Sequence, residues 1–183
     1  RPAPEVAALA GKLRWAVISA YKVAVAPKRP PSLERGADLY RQICVACHGV
    51  EGRGDGASGA RLQPAPTHFH HRERMAQRSP FGLYNAITLG VEGTGMQSYR
   101  ELGEDDRWAL AFHLARLALS PDAISAGESL WNAGTGRQAF PTIDNVAMLS
   151  RNDVQARFGD EPVAIQGYLI ARPGSGGQAH LSP

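Results

Sequence analysis

Cys44-Val45-Ala46-Cys47-His48 is the stretch on which the reading of this chain turns. Two cysteines at i and i+3, followed at once by histidine, have the spacing of a site for covalent c-type haem attachment. On a helical turn, positions i and i+3 share a face, so both sulfurs reach the two vinyl groups of one porphyrin. The histidine then falls under the iron as its proximal ligand. A structural zinc would need further ligands, and the chain has only these two cysteines. A redox dithiol would sit beside a βαβ pattern, which the sequence does not show. The expected cofactor is one haem c, held through Cys44 and Cys47, with His48 as a metal ligand.

The 183 residues suffice for one domain with extensions or for two small ones. Hydrophobic residues make up 43% and charged residues 20%, a globular balance. A formal net charge of +3 is too small to argue for nucleic acid, and none is expected as a partner. Lys28-Arg29 and the group Arg72, Arg74 and Arg78 read as solvated faces. Haem is attached to such motifs on the outer side of an energy membrane. The chain is therefore expected to be exported and periplasmic, free or tethered to the inner membrane in a longer protein. No run approaches the ~18 apolar residues of a spanning helix.

Upstream, Val6, Leu9, Leu13, Val17, Tyr21 and Ala24 recur at steps of three and four. They predict an amphipathic helix over 5–25, packed on the following domain or serving as a docking or membrane-surface helix. Pro27, Pro30 and Pro31 close it, so 1–31 is a helix with a proline-rich linker. Ser32 can cap a helix running from Leu33 into the haem motif, with Gly36 and Tyr40 on one face.

Downstream, Gly49, Gly52, Gly54, Gly56 and Gly59 fall in a loop without the Gly-Lys-Ser/Thr ending of a phosphate cradle. It reads as a tight loop over a haem edge. A proline-fixed turn comes next, and Pro66, in preference to Pro64, is expected to offer a carbonyl to Nδ1–H of His48. His68, His70 and His71 are three histidines in four residues, a pattern equally at home on loops that bind nothing. Ser79, Pro80 and Gly90 bound a helix over 79–89, from which Phe81, Tyr84, Ala86 and Ile87 are expected to face the haem. Met96 stands among glycines and polar residues, an odd place for a core methionine and a suitable one for a soft sixth ligand. Met75 lies in a charged run and Met148 far along the chain. His113, on an apolar helix, reads as packing.

Glu104, Asp105 and Asp106 begin a helix over 104–119, where the macrodipole favours negative charge. Residues 122–132, 150–158 and 161–171 predict a small helical extension, with Ser150 and Asp153 as a capping box. The tail from Pro173 reads as a linker. The domains expected are thus 1–31, 32–120, 121–172 and 173–183.

Residues 33–118 resemble a class I cytochrome c: helix, CxxCH, proline loop, short helix, methionine loop and C-terminal helix. The resemblance implies an all-α fold in which the Gly36–Tyr40 helix crosses the C-terminal one. Phe112-His113 stands where that family usually carries an aromatic. Ser79 to Leu114, with PTHFHHRERM before it and Gly127-Glu-Ser-Leu-Trp131 after it, is more narrowly similar to the cytochrome portion of bacterial cytochrome c/iron permease fusions. Those sequences usually read Met-Pro where this one reads Met96-Gln97. That likeness implies a periplasmic haem domain that works with an iron permease and takes electrons from ferrous iron. Arg100-Glu101-Leu102-Gly103-Glu104 fits the permease REXXE pattern, but Gly103 interrupts it and Glu104 opens a different helix, so the match is a coincidence.

With His48 and Met96 on the iron, no position is open for oxygen or peroxide, and the expected role is one-electron transfer rather than stand-alone catalysis. Iron-linked transfer is the leading expectation, with a redox partner cytochrome or oxidase receiving the electron. A carrier domain of a respiratory dehydrogenase or terminal oxidase is the alternative. A haem peroxidase is a third, and requires Met96 to be off the iron.

Overall fold

A computed structural model of the protein describes residues 4–21, 23–135 and 138–175. No strand occurs among them. Helix α1 spans Pro4–Tyr21, α2 Leu33–Leu39, α3 Val45–His48, α4 Arg72–Met75, α5 Pro80–Leu89 and α6 Glu104–Leu117. The extension holds α7 (Pro121–Asn132), α8 (Ile143–Met148), α9 (Arg151–Phe158) and α10 (Asp160–Ala171). Most of the expected tail, 176–183, lies outside the described residues.

Local chemistry sets the helix starts. The Ser32 hydroxyl accepts from the Arg35 amide at 3.1 Å and Ser79 from Gly82 at 3.0 Å, each satisfying an orphan first-turn donor. Pro80 and Pro121 occupy first turns where no N–H is needed. Ser150 and Asp153 make the reciprocal box expected of them, with Asp153 N–H on Ser150 Oγ and Ser150 N–H on Asp153 Oδ2.

The helix leading into the haem motif is not continuous. Between α2 and α3 the chain widens into a π-helical turn, Tyr40–Cys44. Such turns cluster at functional sites because the extra residue re-aims the next turn of helix. Here it places Cys44 at the head of α3, which carries Cys47 and His48.

Two helix crossings organise the core. In the first, α2 lies on α6 with Gly36 at the contact. A Cβ there would meet the Ala109 carbonyl oxygen at 2.3 Å and His113 Cβ at 2.9 Å. Tyr40 packs its ring 5.4 Å from that of His113 and donates its hydroxyl to the Gly49 carbonyl at 2.7 Å. His113 thus takes the packing place expected of it. Arg35 closes the crossing with a two-pronged pair to Asp106, at 2.8 and 2.6 Å. Arg29 pairs with Asp105 and Lys28 reaches Glu104 at 3.9 Å, so the linker is stitched to the first turn of α6. Trp108 and Phe112 are buried from the same helix, each adding about 1.5–3 kcal/mol by loss of apolar surface to water.

The second crossing, α7 on α10, repeats the device. A Cβ on Gly127 would meet the Ala164 carbonyl oxygen at 2.1 Å and Tyr168 Cβ at 2.9 Å. Gly127-Glu128-Ser129-Leu130-Trp131 stands to this crossing as Gly36-Ala37-Asp38-Leu39-Tyr40 does to the first. The fully buried Gln166 donates to the Leu149 and Val146 carbonyls, at 2.7 and 3.2 Å, and pins the end of α8. Helix α8, which the residue pattern does not predict, lies against α5. Helix α1 corrects the expectation of packing. Its stripe is turned to solvent, with Leu9 68% and Leu13 64% exposed, and it has no substantial helix partner among the described residues.

Candidate haem site

The glycine-rich loop builds the floor of the site by lying on the backbone that carries the cysteines. Gly54 N–H donates to the His48 carbonyl and Ser58 N–H to the Ala46 carbonyl, both at 2.8 Å. A Cβ on Gly56 would stand 2.5 Å from the Ala46 carbonyl oxygen, and one on Gly59 2.4 Å from that of Cys47. Only glycine allows this approach.

Above that floor opens a cavity of about 450 Å³. Cys44, Cys47, His48 and Met96 all line it, with Leu83, Ala86 and Ile87 of α5 and Leu110 and Leu114 of α6 as apolar walls. Neither cysteine is in a disulfide. As a thiol, Cys44 is pushed up to about 11 by burial, with Cys47 adding to the shift. Cys44 is therefore kept neutral, unlike the thiolate of a redox dithiol.

His48 is held for ligation. Its Nδ1 lies 3.2 Å from the Thr67 carbonyl, and a carbonyl can only accept, so Nδ1 carries the proton and Nε2 keeps its lone pair. Burial lowers the imidazole pKa, opposed by the Thr67 bond, which favours the neutral ligating form. The ring stacks on Phe69 at 4.7 Å. The carbonyl comes from Thr67, one residue past the expected Pro66. Pro66 lines the cavity instead, because the rigid turn delivers the next residue to the histidine.

Met96 reaches the cavity from a loop pinned on both sides. Its amide donates to Thr94 Oγ1 at 3.1 Å, and its carbonyl accepts from Val91 N–H at 3.0 Å. Met75 also lines the cavity and is 4% exposed, buried in the core cluster despite its charged sequence neighbours. Tyr84 corrects its expectation. It is not part of the cavity wall but stacks on Trp108 at 4.2 Å, with the Arg107 guanidinium 5.0 Å from its ring centre. Phe81 faces Trp108 as well, while Ala86 and Ile87 do face the cavity.

Arg74 and Arg78, read from the sequence as a solvated face, line this cavity while remaining exposed, and so stand at its mouth. Haem carries two carboxylates, and two guanidiniums suit them. Their signal was the spacing Arg74-x-x-x-Arg78 beside a histidine-rich loop, which composition alone does not distinguish from surface charge.

The three neighbouring histidines are each occupied structurally. His68 Nδ1 accepts from the His70 amide at 3.1 Å, and His70 Nε2 lies at the Glu51 carbonyl. His71 caps α4. No group of three metal-binding side chains occurs among the described residues.

Thiols, imidazole, thioether, apolar walls and cationic mouth together define a helical domain fitted to a covalently attached haem. Bound there, haem supplies one-electron exchange between its ferric and ferrous states. The chain's own part is to attach the group, hold the His48 proton away from Nε2 and exclude water. Residues 33–118 match the family model described as Cytochrome c, so this stretch is a cytochrome c domain with the all-helical class I fold. A cytochrome bc1 complex cytochrome c subunit of Corynebacterium diphtheriae is 25% identical over 105 residues, covering 57% of this chain. The chain spans about a third of that relative's length, 32%. A chain of the Kuenenia stuttgartiensis reducing HAO-like protein complex superposes with a TM-score of 0.42 at 17% identity, covering 80% of this chain and 98% of that one.

Proposed function

We propose that this protein is a periplasmic monohaem cytochrome whose iron is held by His48 and Met96 and which passes single electrons between larger redox partners. The carrying observation is that Cys44, Cys47, His48 and Met96 converge on one cavity of haem-binding character. Met96 is favoured over Met75 because its loop is tethered but not packed away, whereas Met75 belongs to the core cluster. Arg74 and Arg78 take the haem carboxylates. With both axial positions filled by protein groups, oxygen and peroxide chemistry is shut out, which disfavours the peroxidase reading.

The electron donor in this proposal is ferrous iron, oxidised beside a permease that imports the ferric product. Support comes from the likeness of Ser79–Leu114 and its flanks to cytochrome c/iron permease fusions. His68, His70 and His71 are engaged in local bonds, so the iron substrate would be bound by the permease partner and not by this domain. A carrier role in a respiratory assembly is the second reading, favoured by the bc1 relative. Stopped-flow mixing of ferric protein with ferrous iron separates them. Haem reduction faster than an unrelated cytochrome c gives supports iron coupling. Reduction no faster, with rapid exchange with a respiratory cytochrome, establishes the second reading.

A further inference from the structure

We infer that the C-terminal helices, 121–171, are a haem-free counterpart of the α2–α6 crossing whose work is to hold the Arg74–Arg78 segment at the cavity mouth, through the Asn152 N–H on the Ala76 carbonyl. The inference rests on the reading of those arginines as partners of the haem carboxylates.

The counterpart is visible in the matched crossings. Each puts a glycine against an alanine carbonyl, with the residue four further on beside it, and each continues from the glycine with x-x-Leu-aromatic. The space beside the second crossing is filled. Where the first leaves about 450 Å³, the second leaves about 30 Å³, closed by Trp131, Phe140, Ile143 and Val146. With no cysteine and, among the described residues, a space of about 30 Å³ beside its crossing, this unit offers nothing like the haem cavity of the first.

Its contact with the haem domain is informative. Asn152 is the second residue of α9, where an N–H has no partner inside the helix. That N–H donates to the Ala76 carbonyl at 3.0 Å. Ala76 lies between Arg74 and Arg78. The donor is rigidly placed, because Ser150 and Asp153 cap α9, Val154 is fully buried, and α9 packs on α10. Arg151 of the same turn is partly buried close to Arg72. The segment bearing the two guanidiniums is thus fastened to a helix that is itself fastened to the second crossing. Cations held at the carboxylates keep those groups ionised and raise the potential of the iron.

Asn152→Pro tests the tie, since it deletes the one N–H within a first turn that tolerates proline. Asn152→Ala keeps the N–H. Both are made in the full holoprotein, and the midpoint potential is followed against pH by spectroelectrochemistry. The expected result for N152P is a fall of about threefold in the equilibrium constant for one-electron reduction, tenfold being 59 mV. The pH at which the potential begins to drop should also rise, while N152A matches the parent. The double variant Arg74→Gln/Arg78→Gln should show the same change, and adding N152P to it should change nothing further. If R74Q/R78Q alters the curve and a folded N152P does not, the positioning role is overturned. If R74Q/R78Q leaves the curve unmoved, the arginine reading itself fails. Should N152P not fold, Val154→Ala, which loosens the seat of α9, takes its place with the same expected and overturning results.

Discussion

Gly36 has the backbone of Ala109 directly against its α-carbon, with the Ala109 carbonyl oxygen 2.3 Å from where a Cβ would be. The obstacle is main chain, which cannot swing aside as a side chain could. Gly36→Leu should therefore push α2 off α6 and cost about 3 kcal/mol or more. Urea unfolding followed by circular dichroism measures the loss. A midpoint within error of the parent would show that the crossing is looser than described.

Gly56→Val acts on the site itself. Its side chain would enter the space beside the Ala46 and Val45 carbonyls, at 2.5 and 2.6 Å, and drive the loop off the turn carrying Cys47. The expected outcome is a marked fall in the fraction of protein carrying covalent haem, read from haem absorbance per polypeptide. Gly93→Ala, where nothing lies within 4 Å, tests the opposite case, its positive φ of 75° leaving only local strain.

Met96→Ala should abolish the methionine–iron charge-transfer band and lower the midpoint potential, because a thioether favours ferrous iron. Met75→Leu keeps core volume and should leave the band in place while costing less than about 1.5 kcal/mol of stability. The reverse pattern would transfer the sixth ligand to Met75.

Acid should weaken the fold through His113. Burial, helped by Arg116 and Arg41, lowers its pKa from 6.5 to about 4. The unfolded chain then binds a proton that the native state refuses, so stability is complete above pH 6.5 and declines as the pH falls toward about 4. Asp106, lowered by its bond to Arg35, adds loss of the same sign below 3.8. His113→Phe removes the first of these declines. Stability measured across pH 7 to 4 should flatten in the variant, and an unchanged slope would place the acid sensitivity elsewhere.

Much of this architecture is legible from residue types alone, for identifiable reasons. Ser32, Ser79, Ser150 and Pro80 act within three or four residues of themselves, so their caps appear where the sequence puts them. The attachment motif is equally local. Sequence misleads where direction matters more than identity. Pro66 shapes the turn, but the carbonyl aimed at His48 belongs to Thr67. Tyr84 lies on a cofactor-side helix and yet turns toward Trp108, where stacking beats the cavity wall. Arg74 and Arg78 look like surface charge in the sequence because the apolar enclosure behind them is assembled by α5 and α6, elements that lie further along the chain. The stripe of α1 announces an amphipathic helix but cannot name a partner, and within the described residues it has no substantial one.

Of the rooms beside the two crossings, about 450 and 30 Å³, the larger is the one lined by the two cysteines. On the monohaem proposal, such a carrier stores a single reducing equivalent. A donor that gives up its electrons in pairs would have to visit two such molecules, or park the second electron elsewhere between visits. A donor that changes by one unit of charge discharges completely in one encounter. Stoichiometry thus sorts the chemistries this protein can serve before affinity has any say.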